Sequence, residues 1–395
     1  MRPELIVAEK EFRDHITSKR FIVIFGIMML LAIYAVTTGT DAYNKALDQY
    51  KNPENSPYYY NQQQYMNELQ QRIQESQARN DSADMIQSMQ NQLDVMRNPP
   101  MPSVLNVFQS MTFLFTFVGM VLGAAMGFDQ IAREKDEGSI KFLASSPIYR
   151  DAIVNGKTIG AIMALSAAMG AAFAIAIAIV MLKGIVPGLE DLVRIFLFFL
   201  AGMLYCTVFF ALAMMVSAFS KNTAIAAIFT VGMVFAVFIF TIMALLAANM
   251  IASSIVGPAP VIEYPYYPQV ITMNESSGNV TVPTPPYDFS TTSDYYNRLQ
   301  QTQSQISSVL SAFSPIDSFS GYPTYYHMGI GPALITRQST NTYTYGSSIG
   351  MAGAGKEMSL LDALAIVWMR VLILIAEIIA AFGIAYVAFM RTDIR

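Results

Sequence analysis

The chain has 395 residues, of which 54% are hydrophobic and 13% charged, and its formal net charge is −4. A typical soluble domain carries about 25% charged residues, so an ordinary soluble protein is excluded. The basic residues are too few and scattered to form a phosphate-binding stripe, which sets nucleic acid aside as a partner.

The apolar residues stand in long blocks rather than at the period of a half-buried helix or strand. Crossing a hydrocarbon core of roughly 30 Å takes about 20 apolar residues in a helix. Six segments reach or nearly reach that length, at 21–38, 104–128, 158–182, 191–217, 223–249 and 361–389. The fold class expected is an all-α integral membrane protein with six transmembrane helices. Residues 1–20 carry five basic side chains that suggest a signal peptide, but they also hold Glu4, Glu9, Glu11 and Asp14. An n-region normally lacks acids, so the first span is read as uncleaved. The third span is rich in small residues, including Gly160, Ala164, Ala168 and Ala172. Such residues let backbones approach closely in lipid, so this span is expected to pack against protein.

Orientation follows from the loops. Segments 1–20, 129–157, 218–222 and 390–395 hold 13 Lys and Arg in 60 residues, against 9 in 184 for 39–103, 183–190 and 250–360. The first set is expected to be cytoplasmic, which places both termini inside and leaves two extracytoplasmic segments, 39–103 and 250–360. Sequons at Asn80, Asn274 and Asn279 fall in those segments. In 39–103, Met66, Leu69, Ile73 and then Ile86, Met89, Leu93, Met96 recur at three and four, the seam of an amphipathic helix or hairpin stopped at Pro99 and Pro100. Segment 250–360 is rich in Tyr, Pro and Ser, with a helix expected over 290–313.

Little in the chain is chemically reactive. Cys206 is the single cysteine and lies in an apolar block, so neither a disulfide nor a cysteine-based zinc site is available. His15 and His327 are far apart, and no metal or catalytic site is expected. Gly156-Lys157-Thr158 imitates a phosphate loop, but Asp151 stands where the pattern needs glycine; Gly350 to Lys356 is followed by Glu357 instead of a hydroxyl residue. No ATP hydrolysis is expected of this chain, and no cofactor. Arg370 and Glu377 stand out as ionisable residues deep in a span, two turns apart on one face. Such groups are functional candidates because insertion costs at least about 2.5 kcal/mol. The reading preferred is structural, with Arg370 snorkelling outward and Glu377 bonding a neighbouring helix.

Between spans two and three runs Arg133-Glu134-Lys135-Asp136-Glu137-Gly138-Ser139-Ile140-Lys141-Phe142-Leu143-Ala144-Ser145-Ser146-Pro147-Ile148-Tyr149-Arg150, followed by Ile153 and Gly156-Lys157. It is a charged stretch, a Gly-Ser helix start, an amphipathic turn with Ile140 and Leu143, and a proline stop after Ser146. A topology-setting basic loop would not need that order.

This stretch resembles the E-x-E-x-G-[ST]-[LI]-x-x-L-x-x-[ST]-P-[VI]-x-R-x-x-[IL]-x-x-G-K signature of the type-2 ATP-binding-cassette permeases, with Asp136 replacing the second glutamate. The leader Glu9 to Asp14, with Ser18 to Phe21, is similar to that family's amphipathic first helix. The long outer segments depart from its smallest members. The resemblance implies the membrane-spanning permease subunit of a transporter in the plasma membrane, an exporter by family expectation. It implies a second permease copy or homologue, surrounding membrane lipid, and a separate ATPase subunit holding ATP and Mg. Coupling to that ATPase would run through Glu134, Gly138, Ser139, Ile140, Leu143, Ser146 and Pro147. The pathway would lie between protomers, with Asn106, Gln109, Ser110, Thr112 and Thr116 as candidates; helix–helix hydrogen bonding explains the same residues. A secondary transporter would favour inverted repeats and broken helices. A membrane anchor or sensor would not need the loop signature.

Overall fold

The computed structural model describes residues 3–79, 83–99, 101–138, 150–260, 272–273, 280–281, 290–321, 328–337 and 358–391. Six helical stretches of 31 to 34 residues are long and apolar enough to cross a membrane: Lys19–Lys51, Val104–Asp136, Asp151–Leu182, Leu189–Phe219, Thr223–Val256 and Leu360–Met390. At 1.5 Å per residue each exceeds a core of roughly 30 Å, so their ends project beyond it. The apolar run measures bilayer thickness, whereas the helix continues until something breaks it. The first span shows this: its apolar block ends near 38, yet the helix runs on through Asp41, Asn44 and Lys45 to Lys51, just before Pro53.

Helix α1 (Pro3–Thr17) precedes that first spanning helix, α2 (Lys19–Lys51), and Ser18 caps the latter by accepting the Phe21 N–H. Helices α3 (Tyr59–Ala78) and α4 (Ala83–Arg97) form an antiparallel hairpin. Leu69 and Ile73 are buried in it, and Arg97 and Gln92 reach across to Gln70 and Tyr65. The second span consists of α5 (Gln109–Leu114), a π-helical turn at Phe115–Gly119, α6 (Met120–Gly127) and, after a turn, α7 (Ala132–Asp136). Tyr205 donates its hydroxyl to the Thr116 carbonyl in the π-helical turn at 2.7 Å, satisfying a backbone group that the altered helical ladder leaves available. Below the turn, Gly123 and Gly127 lie so close to the Cys206 and Phe210 carbonyls of the fourth span that a Cβ at either position would collide.

The third, fourth and fifth spans are α8 (Arg150–Leu182), α9 (Leu189–Phe219) and α10 (Thr223–Val256). Ala161, Ala164, Ala168 and Ala172 of α8 are buried, while a Cβ at Gly170 would meet nothing. The fourth span is the axis of the core: Phe198, Tyr205, Phe209 and Phe210 are fully buried.

Helix α11 (Ser290–Leu310) leads through a 3-10 turn at Ser311–Phe313 into α12 (Pro315–Ser320). Two further helices follow, α13 (Ile330–Ile335) and the sixth span α14 (Leu360–Met390). Helices α12 and α13 are inserted among the spans. Phe319 stacks on Tyr205 and Phe198, and Ser314 meets Thr241 of the fifth span at 2.5 Å. Within 250–360 the sequence led to one expected helix, over 290–313; α12 and α13 are additions to it, because short, Ser- and Gly-containing helices give no hydropathy signal.

Candidate coupling site

At one end of the bundle the two sides of the loop joining spans two and three are tied to α1. Lys157 sits 2.7 Å from Glu11 of α1 and 2.9 Å from Glu134 of α7, with side-chain exposures of 7%, 10% and 12%. One ammonium thus serves two carboxylates from two other elements. Removing such groups from water is costly and is offset only by close geometry. Burial pushes the Glu11 carboxyl up, but the adjacent Lys157 ammonium outweighs it and holds Glu11 below its usual value.

The approach that makes this possible is sequence-encoded. A Cβ at Gly156 would stand 2.8 Å from the Glu4 carbonyl, and one at Gly160 would stand 2.7 Å from the Ala8 carbonyl. With no side chain at these two positions one turn apart, α1 lies directly on α8. Further along α1, His15 Nε2 lies 2.7 Å from the Gln130 side-chain nitrogen, which also donates to the Met126 carbonyl at 2.9 Å. An amide nitrogen only donates, so this ring nitrogen accepts and the imidazole is neutral. Burial lowers the His15 value below its ordinary 6.5, in the same sense. Arg20 closes the edge, bonded to Asp129 at 2.6 Å and lying over the Phe128 ring at 4.8 Å.

Helix α7 is held from the other side by the turn between spans four and five. Ser217 Oγ accepts the backbone N–H groups of Ile131 and Ala132 at 3.1 and 2.9 Å. Lys135 donates to the Ala218 and Ser220 carbonyls at 2.5 and 3.2 Å. Gly138 then turns the chain with φ +68°, a left-handed angle that glycine takes without steric cost. It closes α7 through its N–H to the Lys135 carbonyl.

The expected coupling residues divide. Glu134 is turned inward to Lys157, so it braces the loop instead of presenting a face, and Gly138 is the turn. Ser139, Ile140, Leu143, Ser146 and Pro147 lie outside the described residues. The candidate pathway residues divide too. Asn106, Gln109 and Ser110 are exposed on one side of the second span, beside the exposed Phe113, whereas Thr112 and Thr116 face the interior. Thr116 Oγ1 bonds the Thr112 carbonyl at 2.7 Å.

The two intramembrane charges do not meet each other. Arg370 does not snorkel outward; it pairs with Asp317 of α12 at 3.3 Å, and Asp317 is fully buried. Glu377 lies on the buried stripe of α14, which includes Val367, Arg370, Leu374 and Ala381, and its Oε2 is buried without a hydrogen-bond partner among the described residues. Glu11, Lys157, His15, Gln130, Ser217 and Asp317 are the functional candidates that sequence reasoning passed over. The Gly156–Gly160 spacing beside an acid-containing amphipathic leader is the signal that would have revealed the first pair.

The ABC-2 family transporter protein model matches residues 5–394 of the chain. A match over nearly the whole length, on six membrane-crossing helices, defines a multi-pass permease subunit of an ATP-binding-cassette transporter, and the chain belongs to the ABC-2 family. Permeases of this family are generally the non-catalytic membrane subunits and work with an ATP-binding-cassette ATPase. No curated protein matches the chain.

Proposed function

We propose that this chain is the membrane half of an exporter in the plasma membrane, with both termini cytoplasmic and the 39–103 hairpin outside. It binds no cofactor itself; ATP and Mg belong to a separate ATPase that docks on residues 139–149 and on the turn at Gly138. The observation that carries this reading is the Glu11–Lys157–Glu134 triad. It joins α1 and both ends of the docking loop into one unit, so force applied to the loop moves the second and third spans together instead of bending the loop. Two copies, or this chain and a homologue, enclose the pathway. Asn106, Gln109 and Ser110 supply polar groups to it from the exposed side of the second span, while Thr112 and Thr116 support the helix from behind.

The test pairs docking with turnover. Gly138→Val forces a β-branched residue to φ +68°, and Leu143→Ala removes the expected apolar anchor, a loss of about 2 kcal/mol or more for a buried interface side chain. Both variants should insert normally but fail to co-purify the ATPase or to support ATP-driven transport in vesicles. Wild-type docking and turnover in both would make the loop a topology signal only. Orientation is tested separately in a Cys206→Ala background: cysteines at Gln87 and Gln301 should react with an impermeant thiol reagent outside intact cells, and one at Ser145 should not.

A further inference from the structure

The fourth and fifth spans leave a cleft of about 640 Å³ between them near their connecting turn, walled by Met215, Phe219, Ile225, Phe229 and Met233, with Lys221 lining its mouth. At Gly232, also on the wall, a Cβ would meet nothing within 4 Å. Phe219 and Phe229 are 68% and 61% exposed, so both rings present apolar surface. The wall runs along the fifth span from Ile225 to Ala236, a rise of roughly 17 Å. That is about half of the roughly 30 Å hydrocarbon core, the depth of one leaflet.

The mouth is cationic. Lys221 is exposed and makes no ion pair among the described residues. Lys135 reaches the same place, its ammonium 3.2 Å from the carbonyl of Ser220, which lines the cleft. Asp136 accepts the Thr223 N–H at 3.4 Å, so among the described residues two ammonium groups and one carboxylate gather at this end. A one-leaflet apolar slot with a positive end at the membrane surface has the polarity of a lipid: a chain that can follow an irregular wall, and an anionic head. A flat protein partner would have to supply both an apolar ridge and a carboxylate placed at its foot.

We propose that the cleft holds one acyl chain of an anionic phospholipid from the adjoining leaflet, with its phosphate at Lys221 and Lys135. The site needs only that Lys221 lie at a membrane surface and does not depend on the direction of transport. Because Lys135 belongs to α7, the bound headgroup lies beside the element that carries Glu134.

The full-length chain is reconstituted into nanodiscs containing equal phosphatidylglycerol and phosphatidylcholine, and the lipid retained is counted by native mass spectrometry. The wild type should retain one phosphatidylglycerol per chain in preference to phosphatidylcholine. Lys221→Glu should lower that retention at least about fivefold, since one basic residue near an anionic surface accounts for a change of that order. Gly232→Phe, which fills the slot and leaves the charges in place, should lower it as well. Lys51→Glu, at the far end of the first span, should leave it unchanged. Equal retention of phosphatidylcholine, or unchanged retention in both cleft variants, would overturn the proposal. So would disulfide-linked dimers of Met233→Cys in a Cys206→Ala background, which would assign the cleft to a second copy of the chain.

Discussion

The bundle buries charge in two places, in two different ways. At the coupling end one ammonium, Lys157, holds two carboxylates from separate elements. Around α12 the acid Asp317 holds the base Arg370 among serines and aromatic rings. Among the described residues the first arrangement joins three pieces of chain through one shared ammonium, and the second joins two through one pair. A clamp built on one shared cation depends on that central residue, whereas a pair can be removed as a unit. The coupling end should therefore be the more fragile to one substitution, and the site around α12 the more replaceable by two.

Lys157→Met tests the larger side of that contrast. It leaves Glu11 and Glu134 facing each other with the cation gone, and breaking a buried ion pair from one side costs about 3–5 kcal/mol. The expected result is a large fall in melting temperature in detergent and loss of ATPase co-purification, with partial recovery when Glu11→Gln is added. Recovery should be incomplete because the bond from Lys157 to Glu134 is still lost. Full stability of Lys157→Met would show that the three elements are held by packing alone.

Asp317→Leu should rank next, at about 3 kcal/mol, the lower end of the same range. Adding Arg370→Met should restore most of the loss, because an apolar replacement of both partners is often neutral or stabilising. Thermal unfolding of the two single variants and the double variant gives the coupling directly. A double variant no better than Asp317→Leu would mean that Arg370 serves something other than α12.

The sequence made the six spans legible because about twenty apolar residues in a row have few other uses, and the family because the residue order between spans two and three resembles a known signature. The inserted helices were not legible. Pro315–Ser320 and Ile330–Ile335 are six residues each, too short to register as spans, and Asp317 looks like any acid in an external segment until Arg370 is beside it. Lys157 was visible only as the end of a motif, and Glu11 only as one of four acids in a leader. Neither period nor spacing links residues 146 positions apart; the link appears once Gly156 and Gly160 bring the helices together.

That close approach gives the next prediction. A valine at Gly160 would place its Cβ 2.7 Å from both the Ala8 carbonyl and the Glu11 side chain. Overpacking of this kind costs about 1–3 kcal/mol, less than losing the ion it supports. Gly160→Val should lower the melting temperature moderately and expose α1 to limited proteolysis, and Gly170→Val, where a Cβ meets open space, should do neither. Equal behaviour of the two would remove the helix contact as the reason for glycine.

The smallest effect expected is that of pH on the docking of α1. His15 is depressed below 6.5 by burial, and in its neutral form it accepts the Gln130 amide. The undocked helix binds a proton more readily than the docked one, so stability from this contact is intact above about pH 6.5 and falls as pH drops through that value toward the lower docked one. Glu11 shifts in the same direction, but from a lower starting point: its value is held below 4.5, so its contribution persists above that and is lost only in stronger acid. Between about pH 7.5 and 5.5, then, the imidazole is the titrating member of the α1 contact. Protease sensitivity of α1 should rise over that interval in the wild type. In His15→Gln, which cannot take up the proton, it should stay level. A parallel rise in both would mean that the acid sensitivity comes from elsewhere in the bundle and that His15 is a packing residue whose charge state has no part in holding the clamp.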